Sequence, residues 1–200
     1  MTFKDLQRVV QSNGPSDTSL VDIQAKLHDK PFWIFDKEHK EEYLRTNGQC
    51  CWWHGIGCPQ KDGRDMPVLP YQKILYEALQ NHKHIWILKS RGIGCSEFLL
   101  RYTAWCCVNK IFLVNSRVCF IVGPRIDLAE DLIARFKGLF NRLSLLNDRT
   151  QSTVAYLNGV RVEAFPSHHV DTMRGLTDVS SFFQMNWICI HSFSSGRLEP

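Results

Sequence analysis

Lys89, Ser90, Arg91, Gly92, Ile93, Gly94, Cys95 and Ser96 form the stretch of the chain with the most specific chemistry. A phosphate-binding loop of the pattern G-x-x-x-x-G-K-[ST] cradles phosphates with backbone N–H groups. Its Lys reaches the terminal phosphates and its hydroxyl binds magnesium. Here the second glycine, Gly94, and the hydroxyl, Ser96, are in place. Cys95 stands where the Lys usually stands, and a Lys occupies the first position instead. From there the Lys89 side chain can fold back over the loop and supply the same charge from the other side. A glycine-containing turn with an incidental Lys is the plain alternative. The order strand, loop, helix around it is what phosphate binding requires.

Upstream, Tyr71 and Gln72 open a helix just after Pro70. In many helicase-like and translocase ATPases a Gln so placed reads the adenine edge through its amide, with an aromatic residue nearby to stack. A Gln on the surface of an amphipathic helix is the ordinary reading when it stands alone. Joined to the loop at this spacing, adenine recognition becomes the expectation.

The elements that must position these residues follow from periodicity. After Pro70 the pattern alternates: helix 71–81, strand 84–88, helix 96–108, strand 117–122 and helix 126–143, the signature of an α/β domain. Both strands are almost continuously apolar, as parallel strands covered on two faces are. Helix 96–108 is apolar on most sides and must be well buried. In helix 126–143, Ala129, Leu132, Ile133, Phe136, Leu139, Phe140 and Leu143 repeat at three and four, which makes it amphipathic. Alternating residues on either side of Asn158-Gly159 predict a two-residue hairpin, and the apolar run 179–190 can supply a further strand.

The chain of 200 residues, 44% hydrophobic and 22% charged, can bury a real core. A domain boundary is expected near residue 65. Residues 1–65 then form a small helical N-terminal appendage and linker, with helices at 3–10, 19–27 and 36–45 and a turn over 61–65; residues 66–200 form the nucleotide-binding domain. The net charge of +4 permits nucleic acid without arguing for it. Arg125, Arg135, Lys137, Arg142 and Arg149 are the residues from which a cationic track for double-stranded DNA could be built. No apolar run approaches the length of a membrane span, and the N-terminus has no apolar signal region, so no membrane partner is expected. The eight cysteines lack a regular framework, which points to free thiols in a reducing, intracellular (cytoplasmic) setting.

Taken together, Tyr71-Gln72, the displaced-lysine loop, the segment Phe120-Ile121-Val122-Gly123-Pro124, the run from Asn158 to Pro166 and Thr172-Met173-Arg174-Gly175-Leu176 resemble the ATPase domain of the large terminase subunit, the motor that packages DNA into the heads of tailed viruses. The resemblance covers about residues 66–180. It implies a P-loop NTPase-type fold with a mainly parallel sheet flanked by helices, and a viral or proviral origin. It implies ATP and Mg2+ as ligands, with Lys89 on the phosphates, Ser96 on the magnesium, Gln72 on adenine and Arg91 as a charge sensor. Double-stranded DNA and other packaging-motor subunits are the implied partners. A helicase-like translocase, or a non-catalytic regulatory module that keeps the fold, shares some of these features.

The resemblance breaks after Asp178. A terminase continues through a few apolar residues to an Asp-Glu pair, in which the Asp holds the magnesium shell and the Glu orients the attacking water. This chain has Glu199 as its only acidic residue after Asp178, and Asp178 precedes the expected strand. The change of character after residue 180 is what a frameshifted or truncated reading frame would produce. The sheet is then incomplete, the nuclease domain is missing, and binding with little or no hydrolysis is expected.

Two further constellations have plainer readings. Cys50, Cys51, His54 and Cys58 lack a second ligand pair nearby, so buried thiols packed against Trp52 and Trp53 are expected rather than zinc. His168, His169 and Asp171 read as a polar loop after a hairpin.

Overall fold

The computed structural model describes residues 24–33, 40–140, 152–168 and 175–185, and the backbone of 188–192. The expected helix 3–10, the first part of helix 19–27, residues 34–39, Arg142, Leu143, Arg149, His169, Asp171 and Thr172, Met173 and Arg174 lie outside the described residues.

Within these limits the chain is mixed α/β. In order come α1 (Lys40–Arg45), α2 (Trp52–Gly55), β1 (Gln60–Lys61), β2 (Arg64–Asp65), α3 (Pro70–Asn81), β3 (His84–Ile87), α4 (Cys95–Val108), β4 (Arg117–Val122), α5 (Ile126–Gly138), β5 (Val154–Leu157), β6 (Val160–Pro166), β7 (Val179–Gln184) and β8 (Ile188–Ser192). The large sheet has the order β3-β8-β7-β4-β6-β5. β4 pairs in parallel with both β6 and β7, while β8 is antiparallel to both β3 and β7. Strands β3, β7, β4 and β6 therefore run the same way, and β8 and β5 run against them. The apolar run 179–190 thus contributes to two strands, β7 and β8.

β4 sits between two parallel neighbours, and every residue from Val118 to Val122 is buried. β3 departs from the sequence expectation. Its apolar run reads as covered on both faces, yet Trp86 is 74% exposed and Leu88 just beyond it is 90% exposed. β3 is an edge strand, paired only with β8, and lacks the second neighbouring strand that shields β4. Hydrophobic run length reports apolar composition; it does not report where in the sheet a strand falls.

The Asn158-Gly159 hairpin forms as expected, with φ of 50° and 79° at the two turn residues. A Cβ at Gly159 would come within 2.8 Å of Val114, so space as well as φ requires glycine. The turn over 61–65 also forms, closing the small β1–β2 ladder around Asp62 and Gly63.

α4 is buried along nearly its whole length, as its composition requires. The segment before residue 65 supplies much of its cover. Phe32 lies edge-on to Phe98 (5.4 Å, 88°) and stacks on Tyr76 of α3 (5.4 Å, 10°), while Trp53 lies 6.1 Å from Phe98. The Trp105 indole donates to the Lys30 carbonyl at 2.9 Å. Leu27, Phe32, Trp33, Trp52 and Trp53 belong to the same hydrophobic cluster as α4, β4 and β6. No helix among the described residues is long and apolar enough to cross a membrane.

Candidate phosphate-binding site

β3 delivers the chain to the end of the sheet where β7, β4 and β6 also finish. In open α/β sheets this end, beyond the carboxyl termini of the strands, is where ligands bind. The backbone ties the loops together there: Met185 donates to the Ile121 carbonyl at 2.7 Å, and Ser167 to that of Gly123 at 3.3 Å.

The loop leaves β3 at Leu88 and re-enters regular structure at α4. Gly92 has φ of 77° and Gly94 has φ of 80°, and Gly94 caps the helix. Left-handed backbone at both positions costs glycine nothing and costs other residues about 1–2 kcal/mol each. Lys89, Ser90, Arg91, Gly92 and Gly94 are exposed; Ile93 and Ser96 are half-buried, Ser96 in the first turn of α4. The loop therefore opens to solvent at the N-terminus of a helix of 14 residues, where the first amides lack helical partners and the dipole favours an anion.

Cys95 points the other way. It is 2% exposed, and burial pushes its thiol up to about 11, with the Lys89 ammonium opposing the rise. Cys95 is neutral at physiological pH and belongs to the core.

Gln72 is buried, at 3% exposure, and faces the loop. Its carboxamide oxygen accepts the Leu69 N–H at 2.8 Å, which closes the start of α3 behind Pro70. Its Nε2 lies 3.7 Å from the place a Cβ on Gly94 would occupy, and the Tyr71 hydroxyl lies 3.8 Å from the same point. Tyr71 donates that hydroxyl to the Ile93 carbonyl. The aromatic residue expected to stack on a base is thus hydrogen-bonded to the loop itself. A bond spanning 22 residues leaves no local signal in sequence, and only the adjacency of Tyr71 to Gln72 hints at a shared task.

Glu97 was likewise not singled out from sequence. It pairs with Arg101 one turn on at 2.9 Å and with Arg135 of α5 at 2.9 Å. The i,i+4 spacing of Glu97 and Arg101 is the signal that could have shown half of this. Arg135 is therefore engaged, as is Arg125 by Asp127. Of the cations considered for a DNA track, these two are charge-compensated within the chain.

Asp178 directly precedes β7 rather than ending it, with φ of 61°. β7 finishes at Gln184, followed by Met185. Glu163 is the buried carboxylate of this region, on β6, and it is ion-paired with Arg161 and Arg117. Cys51 and His54 lie 3.4 Å apart, but among the described residues no three His, Cys, Asp or Glu side chains gather as a metal site.

No family model matches the chain, and no curated protein matches it.

Proposed function

We propose that residues 89–96 bind the phosphates of ATP with Mg2+, and that the chain is a nucleotide-binding relative of the large terminase subunit that turns ATP over little or not at all. The observation that carries the reading is the loop: two left-handed glycines lie between a strand end and a buried helix, with the exposed Lys89 at its first position. Lys89 supplies positive charge to the phosphates and the Ser96 hydroxyl a magnesium ligand. Arg91, exposed on the loop, adds a second positive charge. Double-stranded DNA and other motor subunits are the partners this family reading brings with it.

Weak or absent turnover follows from the end of β7. Phosphoryl transfer depends on positioning and charge stabilisation, and a lost water-orienting carboxylate costs orders of magnitude in rate. Gln184 and Met185 offer no carboxylate there, and Asp178 lies at the other end of the strand.

The test is calorimetric titration with ATP and Mg2+ alongside a phosphate-release assay. Lys89→Ala, an exposed change, is expected to weaken ATP by at least about tenfold while leaving the unfolding midpoint in place. Phosphate release from the parent protein should match that of the variant. Release at about 1 per second or faster, abolished by Lys89→Ala, would overturn the reading of a non-hydrolysing site.

A further inference from the structure

We propose that Tyr71 and Gln72 hold the phosphate loop in shape instead of reading a base, so that the site takes nucleoside triphosphates without preferring adenine. The inference rests on the phosphate-binding reading above and changes what that reading assigns to Gln72.

Recognition of adenine by a carboxamide needs both of its ends: the oxygen accepts from the N6 amine while the nitrogen donates to N7. The Gln72 oxygen is already bonded to the Leu69 N–H at 2.8 Å. The carboxamide nitrogen and the Tyr71 hydroxyl lie 3.7 and 3.8 Å from the place a Cβ on Gly94 would occupy, and that hydroxyl donates to the Ile93 carbonyl. The first turn of α3 thus reaches the middle of the loop through Tyr71, with Gln72 buried beside it. Turning the amide toward a base would leave the Leu69 N–H without its partner, and N7 contact alone would not separate adenine from guanine.

The peg has a definite mechanical effect. Ile93 lies between Gly92 and Gly94, the two residues of the loop with left-handed backbone. In a trans peptide the carbonyl and the following N–H point in opposite directions. Anchoring the Ile93 carbonyl against Tyr71 therefore turns the Gly94 N–H away from α3. Tyr71 is a positioning residue, acting on phosphates through the backbone.

The experiment uses the full chain with Mg2+ and three ligands: ATP, GTP and inorganic tripolyphosphate. The parent protein is expected to bind ATP and GTP within about threefold of each other, since the Gln72 carboxamide oxygen is committed to the Leu69 N–H. Tyr71→Phe, which removes one oxygen, is expected to weaken all three ligands by a common factor of about three to ten. It should also speed hydrogen exchange in the loop while the ATP-to-GTP ratio stays fixed. ATP bound more than about tenfold tighter than GTP by the parent protein would overturn the proposal without any variant. So would a loss in Tyr71→Phe confined to ATP, with tripolyphosphate unchanged. Failure of the parent protein to bind any of the three would sink the phosphate-site reading itself, and this proposal with it.

Discussion

Arg117 donates its backbone N–H to the carbonyl of Asp178 at 2.8 Å, which fixes Asp178 at the entry of the parallel β4–β7 ladder and away from the phosphate loop. Its left-handed φ of 61° suits Asp or Asn, whose short polar side chains tolerate that region. Asp178→Asn should therefore change neither ATP affinity nor phosphate release, and should shift stability by less than about 0.5 kcal/mol. A tenfold change in ATP affinity would mean that this carboxylate reaches the ligand.

Gly94→Ala and Gly92→Ala separate strain from crowding. A Cβ at Gly92 meets nothing within 4 Å, and at Gly94 it meets only ordinary contacts at 3.7 and 3.8 Å. Both variants should lose about 1–2 kcal/mol from the left-handed backbone alone. Urea denaturation would read the cost. Full native stability in either variant would show that the loop relaxes out of this shape.

The hairpin and the central strand were plain in the sequence, because their signals are local: Asn158-Gly159 dictates a turn, and the apolar run of β4 matches a strand buried on both sides. The displaced Lys89 and the glycines of the loop were equally visible. What escaped was long-range. The apolar run of β3 looks the same as that of β4, and only the pairing with β8 makes it an edge. Phe32 and Trp33 lie in the short apolar run 31–35, which has no helical or strand periodicity, so their docking on α4 depends on a surface the local sequence does not contain. Tyr71 was legible as an aromatic beside Gln72, while its bond to Ile93 was not.

Arg101 joins the N-terminal segment to the loop helix. Only 5% exposed, it holds Glu97, donates to the carbonyls of Trp53 and Gly57, and sits 4.9 Å from the centre of the Trp53 ring. Arg101→Ala leaves the buried Trp53 carbonyl and the part-buried Gly57 carbonyl short of a donor and should cost about 3–5 kcal/mol. Limited proteolysis should then cut first near Trp53. Because Glu97 keeps Arg135, Glu97→Gln should cost less, and the double variant less than the sum of the two. Additive losses would mean that the ion pair contributes nothing of its own.

Alkaline pH should destabilise the protein. Burial pushes the Cys95 and Cys119 thiols up to about 11, and those of Cys106 and Cys107 higher still. Unfolded thiols release protons from their ordinary value near 9. Above that pH the unfolded state binds fewer protons than the folded state, so stability falls as pH rises from about 9 toward 11, by at most about 1.4 kcal/mol per pH unit for each thiol. Urea midpoints at three pH values across that window would show the slope. Cys119→Ala should make it shallower, and an unchanged slope would remove Cys119 from the account.

The antiparallel β8 is also a spacer. Trp86 faces Cys189, and Cys189 faces Gln184, so the strand that feeds the loop stands two ladder intervals, about 10 Å, from the strand where metal-holding carboxylates would be sought. Direct neighbours stand at about half that distance. An Asp-Glu pair written into positions 184 and 185 would therefore have to act on the phosphate loop across one intervening strand.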